Sequence, residues 1–529
     1  MSPEPAETDE RVAFGERIAA RSRPGYLAVI GRLRGVQPAD ADQARVLEVG
    51  CGGGQNLISL ALRSPRGTFL GLDRSPRAVA MARRIAGELA LANVEFRHQD
   101  VFRSQDLGER PRDLGTFDYI IAREAYSTST ADERESLLAG CRELLAPNGL
   151  VYLGYKTYPG WHVHDMLRAM MLYDGRGATT SRQRATTARA LAEFLDSTLL
   201  ADEPYDKNVR GELQAVLQRS NAAIEHDYLQ PANHPEYVTR FVAHARRHAL
   251  QLVGDAALGL RATDDLGAEA ERRLDELTSD PVKKELYRDM IRNRHHREAV
   301  LCHADVTLNA EPAPALLDGL YLAAPVQPRE SHSHVASTAV ERFVTPQGLQ
   351  ISTAVPLIKA ALVHLGRRWP NFVSCEELIA TASAAVTATS SQPTAAGEVE
   401  RLKENLLLCA QGGILELDSQ MQSFTTQLSP RPRVHPLARW QVQHGDRAIN
   451  CQHRAIRLPD FDPFVLQLLD GTRDRGQVIE QLAEWTAEGR LSVFERQQRV
   501  VTTDRAAQIF AALVPYVLAR LAQNAFLMG

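Results

Sequence analysis

The residues whose types and spacing most clearly indicate a chemical role lie between Glu48 and Asp73. Glycines alternate with other residues after an acid, in the pattern E-x-G-x-G-x-G from Glu48 to Gly54. Glycines in such a turn let a ligand approach the backbone at the positive end of the following helix. Asp73 ends the next apolar run, and a carboxylate at a strand tip commonly accepts hydrogen bonds from ribose hydroxyls. The stretch therefore predicts a nucleotide-type binding site.

Two further features narrow the class of ligand. The dinucleotide fingerprint G-x-G-x-x-G, counted from Gly50, requires a glycine at position 55, which is Gln55. No Lys or Arg occurs at residues 51–55, so the turn carries no side chain that would neutralise a phosphate. A dinucleotide is therefore disfavoured. The alternative to a ligand site is a glycine-rich turn that binds nothing.

The elements that must position these residues alternate between strands and helices. Such alternation predicts a parallel sheet with right-handed crossovers, whose ligands bind at the carboxyl ends of the strands. Ser75 is a suitable N-cap for a helix through Ala90, with Pro76 at its first position. The predicted strands are Arg45–Gly50, Thr68–Asp73, Val94–Asp100, Phe117–Ala122 and Leu150–Tyr155; helices are predicted at Asn56–Arg63 and Thr130–Leu145.

The glycine pattern resembles the first motif of class I S-adenosylmethionine (SAM)-dependent methyltransferases. YKTYPGWH at residues 155–162 is similar to the Y-N-x-Y-P-G-W-H block of methyltransferases that carry a methyltransferase regulatory domain. His226-Asp227-Tyr228-Leu229 with Asn233, and residues 289–306, also resemble that family. The matches cover most of residues 45–306. The family includes bacterial protein-lysine methyltransferases.

The resemblance implies how SAM is bound. The acid at the Glu48 position holds the methionine ammonium group, Asp73 the ribose, and Asp100 the adenine amino group, with Phe102 beside the ring. Asp100 could instead be a helix N-cap. The predicted cofactor-binding residues are Glu48, Gly50, Cys51, Gly52, Gly54, Asn56, Asp73, Arg74, Asp100, Val101 and Phe102.

The acceptor side departs from the family. Residues 123–129 read REAYSTS where H-G-V-Y-S-W-V is usual, and Lys156 replaces the usual Asn. We predict Glu124, Tyr126 and Tyr158 as catalytic residues, with the tyrosines lining a methyl-transfer channel. Arg123, Lys156 and Trp161 are predicted to bind the substrate. Glu124 could instead be a surface carboxylate paired with Arg123.

Length and composition restrict the number of domains, the class of partner and the location of the protein. The chain has 529 residues, enough for about three domains. Its 61 basic and 65 acidic residues give a net charge of −4, which disfavours nucleic-acid binding. Six scattered cysteines without a C-x-x-C predict free thiols in a reducing, cytoplasmic location. No signal peptide and no apolar run of membrane-spanning length was identified, so no membrane association is expected.

Metal binding is not predicted, because no third ligand follows the histidine pairs at a spacing typical of a zinc site. The pairs are His162 and His164, which Asp165 follows, His295 and His296, and His332 and His334.

The predicted fold class is α/β: a Rossmann-like seven-stranded class I methyltransferase sheet, a large helical insertion, and a mostly helical, winged-helix-like C-terminal domain. The predicted closing strands are Ala299–Val306 and Gly319–Val326, and a flexible break is predicted at 379–397. The predicted divisions are an N-terminal helical cap at 1–44, a SAM-binding core at 45–162, a helical regulatory domain at 163–298, closing strands at 299–330, and a C-terminal domain at 336–529.

The predicted function is methyl transfer from SAM to a protein or peptide, on nitrogen as for lysine, on carbon or on oxygen. A small-molecule methyltransferase is the alternative, and a catalytically inactive SAM-binding regulator is the non-enzymatic one. A homodimer is left open. Residues 461–486 resemble winged-helix modules that grip peptides, so deletion of residues 430–529 is expected to leave SAM binding intact.

Overall fold

The computed structural model describes residues 18–99, 114–199, 203–257, 267–309, 314–330, 333–390, 395–445, 447–495, 498–500 and 502–528. Its largest sheet has seven strands in the order β3-β2-β1-β4-β5-β7-β6. The first five are parallel, whereas β7 runs antiparallel to both β5 and β6. The strands are β1 Arg45–Val49, β2 Thr68–Asp73, β3 Val94–His98, β4 Phe117–Ala122, β5 Leu145–Lys156, β6 Leu250–Asp255 and β7 His296–His303.

Within the described residues, four α-helices accompany the parallel half of this sheet. They are α1 Pro24–Leu33, α2 Gln55–Arg63, α3 Pro76–Glu88 and α4 Ala131–Leu144. The Ser75 hydroxyl caps α3 by accepting from Ala78 N at 3.2 Å, as its sequence signature predicts. The central strands are almost wholly buried, which explains why they are continuous apolar runs.

The closing strands differ from the prediction. Residues 299–303 do lie in β7, but its partner at the sheet edge is β6. The apolar spacing of residues 235–252 predicts a helix there, and β6 takes the last residues of that stretch. Gly319–Val326 is not a strand of this sheet. Its residues 321–323 form β8 of a separate three-stranded sheet. Short apolar runs fit either position, and only pairing across the fold decides between them.

The chain between β5 and β7, the helical block, is mostly helical, in agreement with the predicted large helical insertion, and is interrupted by β6. Its helices α5, α6, α7 and α8 form a core of their own around Leu167, Ala188, Leu213 and Ile224. The helix bounds are α5 Trp161–Asp174, α6 Ser181–Thr198, α7 Pro204–Leu217, α8 Asn221–Tyr228, α9 Val238–Arg247, α10 Ala268–Leu277 and α11 Pro281–Arg292.

The next unit packs helices against two small sheets. The predicted flexible break at 379–397 is wrong for residues 379–390, which continue a helix that begins at Cys375. Ile379, Ala382 and Val386 pack together on the core, and the intervening alanines favour a helix. The elements are β8 Tyr321–Ala323, β9 Gln327–Pro328, β10 Glu341–Val344, β11 Gln350–Thr353, α12 Pro356–Arg368, β12 Val373–Ser374, α13 Cys375–Ser390, α14 Ala396–Gln411 and β13 Glu416–Asp418.

The C-terminal unit contains, within residues 461–486, two helices joined by the D-G-T turn at Asp470-Gly471-Thr472. Gly471 has φ +88° in that turn, and Thr472 N donates to Asp470 Oδ1 at 2.9 Å. Its elements are β14 Arg433–Val434, α15 Pro436–Gln441, β15 Arg447–Ile449, β16 Ala455–Arg457, α16 Asp462–Leu468, α17 Arg475–Ala487, β17 Phe494–Glu495, β18 Gln498–Arg499, α18 Thr503–Gln523 and β19 Leu527–Met528.

Helix α18 is, within the described residues, the one helix long and apolar enough to cross a membrane by length and composition. The sequence reading had identified no such stretch. One stripe of this helix, including Phe510, Val514 and Leu518, is buried in the core of the C-terminal unit. Its apolar character is therefore at least partly a consequence of packing.

The N-terminal cap also differs from expectation. The apolar spacing over residues 12–36, interrupted at Arg23-Pro24-Gly25, predicts two short helices, but Pro24 and Gly25 are instead the first residues of α1, after a 3-10 turn at Ala20–Ser22. Proline fits a first helical turn because its missing N–H would have no helical partner there. Residues 12–17 of the predicted stretch lie outside the described residues. The domain divisions read from the sequence remain a prediction.

A buried ion cluster fixes the antiparallel edge of the large sheet. Arg297 of β7 contacts Asp289 Oδ1 and Oδ2 at 2.8 Å, Glu285 Oε2 at 2.8 Å and Asp255 Oδ2 at 3.3 Å. Arg297 is 2% exposed and Asp289 is fully buried. Arg294 also pairs with Asp289 and Asp255, and Arg288 with Glu285, but removal of the Arg297 guanidinium leaves three buried or half-buried carboxylates with one cation fewer.

We therefore expect Arg297→Met to destabilise the protein by ~3–5 kcal/mol. Arg272→Met is the matched control, because Arg272 forms its ion pairs on the surface of α10 with a side chain 57% exposed. Such pairs contribute ~0–1 kcal/mol. Thermal unfolding followed by circular dichroism measures both, and an equal lowering of the two midpoints would contradict the assignment.

Candidate active site

The glycine turn lies at the carboxyl ends of β1 and β2 and opens onto a cavity. Gly50 has φ +72°, and a Cβ atom there would meet nothing within 4 Å, so open space adjoins the backbone. Gly54 has φ +75° for a different reason: a Cβ atom would lie 2.7 Å from Ala82 and Phe96. The first glycine thus leaves room for a ligand, and the second allows α2 to start close to its neighbours.

Asp73 holds this turn in shape. Its Oδ2 accepts from Gly52 N at 2.7 Å, and its Oδ1 accepts from Ser75 N at 2.8 Å. Asp73 also lines the cavity beside Gly50 and Arg74. The same carboxylate therefore closes the glycine turn and faces the space that a ribose would take.

The cavity measures about 140 Å³ and lies at the predicted edge of the sheet. Arg123 and Glu124, which follow β4, line it together with the cofactor-side residues. The predicted cofactor residues Asp100, Val101 and Phe102 lie outside the described residues. The full lining of described residues is Gly50, Leu72, Asp73, Arg74, Gln99, Arg123, Glu124, Ala125, Thr128, Ser129 and His226.

Glu48 lies behind the turn and is 2% exposed. Its Oε1 accepts from Asn56 Nδ2 at 3.2 Å, whereas its Oε2 is buried and has no hydrogen-bond partner within the described part of the chain. Burial raises the pKa of Glu48 to about 7, despite the opposing effects of Arg123 and of the Asn56 hydrogen bond. A buried carboxylate oxygen without a partner fits a site for the ammonium group of SAM.

Asn56 connects Glu48 to two distant parts of the chain. Its Oδ1 accepts from Ala19 N at 3.1 Å and contacts His453 Nε2 at 2.9 Å. A backbone amide can only donate, so the Asn56 atom facing Ala19 is the oxygen, and His453 must carry its proton on Nε2. Burial, together with Arg23, Arg63 and Arg123, lowers the pKa of His453 well below its usual value, so the imidazole is neutral.

The C-terminal unit therefore packs directly against the cofactor side of the sheet. Gln441 Nε2 donates to Gln55 Oε1 at 3.0 Å, and Arg63 Nη1 donates to the Cys451 carbonyl at 3.0 Å. The expectation that residues 430–529 can be removed without effect on cofactor binding conflicts with these contacts. Sequence reading missed His453, since no local signal links it to Asn56, nearly 400 residues earlier.

Cys51, a predicted cofactor residue, is placed differently. It is buried in the core beneath the turn, and its Sγ atom would lie 2.9 Å from a Cβ at Gly71. Its side chain therefore packs against β2.

The predicted acceptor residues divide into two groups. Arg123 and Glu124 line the cavity. Tyr126 does not: it is 1% exposed, packs edge-on against Tyr155 and Phe241, and its hydroxyl contacts His244 Nδ1 at 2.9 Å. Its ring belongs to the core between the sheet and α9, so the assignment of Tyr126 to a methyl-transfer channel stays a prediction that this packing does not favour.

Lys156, Tyr158 and Trp161 also lie away from the described cavity lining. Lys156 Nζ donates to Asn233 Oδ1 at 2.6 Å and to the Asp227 carbonyl at 3.0 Å, and lies 4.3 Å from the centre of the Trp161 ring. The Tyr158 hydroxyl donates to Asp165 Oδ2 at 2.6 Å. These three residues thus tie β5 to the helical block and do not form the wall of the cavity.

His226 lines the cavity although the sequence analysis did not select it as a site residue. It begins the HDYL stretch that carries part of the family resemblance. That motif was the available signal, but its position over the sheet edge depends on how α8 folds back.

Three family models match the chain. They are described as "Methyltransferase domain" over residues 40–176, "Predicted methyltransferase regulatory domain" over residues 220–303, and "PKMT, C-terminal winged helix domain" over residues 430–526. Together they span the sheet, the later part of the helical block, and the C-terminal unit.

Relatives share this arrangement over nearly the full length. An uncharacterized protein of Rickettsia prowazekii is 25% identical over 528 residues, covering 98% of this chain and 93% of that protein. The structure of PKMT2 from Rickettsia typhi is 22% identical with a TM-score of 0.84, covering 98% of this chain and 100% of that one. The same protein in complex with AdoHcy is 24% identical with a TM-score of 0.82, covering 96% and 99%.

The contact between His453 and Asn56 should affect cofactor binding. We expect His453→Leu to weaken SAM binding roughly 5- to 30-fold, since loss of a buried hydrogen bond costs ~1–2 kcal/mol and frees Asn56 to turn. His444→Leu is the control, because His444 stacks on Trp440 in the same unit. Isothermal titration calorimetry measures both affinities. Equal SAM affinities for His453→Leu and the wild type would mean that the contact of the C-terminal unit with Asn56 does not contribute to SAM binding.

The geometry and the family models agree on one identity. A glycine turn, a strand-tip acid and a buried carboxylate, one of whose oxygens has no hydrogen-bond partner among the described residues, meet at the carboxyl edge of a seven-stranded sheet, where the residues fit SAM. The methyltransferase domain model covers that same region. The chain is a class I, SAM-dependent methyltransferase that also carries a methyltransferase regulatory domain and a C-terminal winged helix domain of the PKMT type.

Proposed function

We propose that the acceptor is the side-chain amine of a lysine in a protein or peptide. The observation that carries this proposal is the carboxylate of Glu124 in the wall of the cavity, next to Asp73 and Gly50. A carboxylate at this place attracts a cationic acceptor. The PKMT-type winged helix domain supports a macromolecular acceptor independently.

The charge state of Glu124 suits this role. Burial acts to raise its pKa, but His296 when protonated and the permanent charges of Lys156 and Arg123 act in the opposite direction, and the net pKa lies below the usual value. Glu124 is thus ionised at neutral pH. An ionised carboxylate can hold an ammonium group and orient the amine after it loses its proton.

Proton removal must precede transfer, because only the neutral amine has a lone pair. We assign this step to His226, an imidazole in the cavity wall whose ring nitrogen can accept the proton. SAM supplies the methyl group, which the amine attacks in line while the sulfur leaves. The chain contributes alignment by Glu124, proton acceptance by His226 and exclusion of water by the helical block.

The regulatory helices support an extended acceptor. His226 comes from α8, so the helical block supplies part of the cavity wall. Lys156, bonded to Asn233 and the Asp227 carbonyl, fastens the segment after α8 to the end of β5. Peptide capture by the winged helix domain remains a prediction, and so do the alternatives of carbon or oxygen methylation and of a small-molecule acceptor. A non-enzymatic SAM sensor would not require a polar acceptor cavity.

We also propose a cytoplasmic location. All six cysteines are free thiols, and five of them are buried. Free thiols are typical of proteins in a reducing compartment.

Mass spectrometry tests the acceptor directly. The enzyme, SAM carrying a deuterated methyl group, and peptides or bulk protein from the producing cell are incubated together, and labelled products are fragmented. The proposal expects label on lysine side chains. Label confined to carbon, to oxygen or to small molecules would overturn the lysine assignment while leaving methyl transfer intact.

Glu124→Gln and Tyr126→Phe separate the two groups of predicted catalytic residues. Glu124→Gln should lower kcat about 10²-fold or more with little change in SAM affinity, since the charge that positions the acceptor is lost. Tyr126→Phe should leave kcat within a few-fold, because its hydroxyl faces His244 in the core. Steady-state kinetics with calorimetry decides, and a large loss of kcat in Tyr126→Phe alone would restore that residue to the channel.

The proposed role of Glu48 predicts a pH dependence of SAM binding. With its pKa near 7, Glu48 is largely protonated in the free protein at acidic pH, whereas an ammonium group favours the ionised form. SAM affinity should therefore rise roughly tenfold from pH 5.5 to pH 7, with release of a proton. The predicted rise is limited to pH values up to 7, because the ammonium group of SAM itself begins to deprotonate above that pH.

Calorimetry in buffers of different ionisation enthalpy measures both the affinity and the proton released. Glu48→Gln should bind more weakly and lose this pH dependence. A wild-type profile that stays flat would show that Glu48 does not contact a charged part of the ligand.

A further inference from the structure

A second cluster of chemically competent side chains lies outside the cavity, where the helical block meets the sheet. His164 of α5, Glu212 of α7 and His295, directly before β7, each present one ligand atom, and these atoms lie within 4.8 Å of one another. His164 Nε2 lies 3.1 Å from Glu212 Oε2, and His295 Nε2 lies 3.7 Å from Glu212 Oε1.

The backbone holds these residues in place. Thr157 N donates to the His295 carbonyl at 3.0 Å, and Gly160 N donates to the Arg294 carbonyl at 3.0 Å. A Cβ at position 160 would lie 2.4 Å from that carbonyl, so glycine is required for the close approach. The segment before β7 is thereby fixed beside the start of α5, which places His295 next to His164.

The cluster is closed on one side and open on the other. His164 is 6% exposed, and its Nε2 faces the Glu212 carboxylate. A neutral imidazole and an ionised carboxylate are the forms that coordinate metals. Arg219 also faces the cluster, but it forms an ion pair with Asp227. The His295 side chain is 39% exposed, which leaves a path for an ion to enter.

A similar group, Glu135 with His244 and His248, is less suitable. The Glu135 side chain is 49% exposed and already contacts Arg247 at 3.0 Å, while His244 Nδ1 contacts the Tyr126 hydroxyl. A metal there would compete with a guanidinium for the carboxylate.

We propose that His164, Glu212 and His295 bind one divalent first-row transition-metal ion, with zinc as the best-suited ion. Two imidazoles and one carboxylate form a known ligand set for zinc, and such a set leaves a coordination position open. The separations between ligand atoms are close to those of ligands that share one ion at bond lengths of about 2.0–2.2 Å.

The ion would clamp the helical block to the sheet. His164 packs on Trp161 at 4.6 Å between ring centres, and Trp161 lies beneath Lys156. Metal occupancy would therefore stabilise the segment that joins β5 to the regulatory helices. This inference does not depend on which acceptor is methylated.

Zinc binding to the untagged, chelator-treated full chain tests the proposal. Calorimetry should show one saturable site per chain, and cobalt should give the visible absorption of a low-symmetry site with nitrogen ligands. Added zinc should raise the thermal midpoint of the wild type, because it binds only the folded chain. Glu212→Gln and His295→Ala should each weaken zinc binding at least ~10-fold and abolish the rise in midpoint.

His248→Ala is the matched control, since it removes a histidine from the other cluster. It should bind zinc as the wild type does. Circular dichroism verifies that the variants are folded. The proposal is overturned if the wild type shows no saturable binding, or if His248→Ala loses the site while Glu212→Gln retains it.

Discussion

The buried amide of Asn56 is the contact on which the cofactor side of the molecule depends. Its nitrogen donates to Glu48, the acid behind the glycine turn, while its oxygen accepts hydrogen bonds from Ala19 N and His453 Nε2. Each group is inaccessible to water, so an unmade hydrogen bond would cost ~1–3 kcal/mol. Three segments far apart in sequence must therefore be folded together before Glu48 is held in one orientation. The cofactor site is a property of the whole chain, although its motif occupies a few residues.

Further buried contacts also join segments that are far apart in sequence. Asp418 of the middle unit is fully buried and accepts from Arg63 at 3.2 Å, while Arg23 of the N-terminal cap donates to the Gln452 carbonyl at 3.1 Å. Gly25 permits this arrangement, because a Cβ there would clash with Asp418 Oδ1. Cap, sheet, middle unit and C-terminal unit thus converge on α2 and α1. Truncations at the C-terminus should be interpreted with this in mind.

The acceptor side is organised by charge. Glu124 stays ionised in a partly buried position because several cations surround it. Lys156, which stands where the family usually has asparagine, is one of them, and its ammonium group is bonded to the helical block. The departure from the family motif thus adds both a positive charge and a tie between domains. Lys156 thus acts on the cavity through its charge near Glu124 and through its bond to the helical block.

The sequence by itself determined the parallel half of the sheet, the glycine turn and the strand-tip acid. These features rest on local rules: apolar runs bury as strands, Gly50 needs a left-handed backbone, and Ser75 with Pro76 starts a helix. The sequence also predicted that Arg123 and Glu124 lie at the cavity, because residues after parallel strands meet at one edge.

Only the tertiary structure decided the rest. The edge strand of the large sheet is β6 and not residues 319–326, and the Tyr126 ring lies in the core. His453 contacts Asn56, and Glu212 contacts His164, each from a distant segment of the chain. Pairing of strands and side chains across hundreds of residues depends on which surfaces pack together. No short pattern encodes that choice, because its free energy arises from contacts that exist only once the chain has folded.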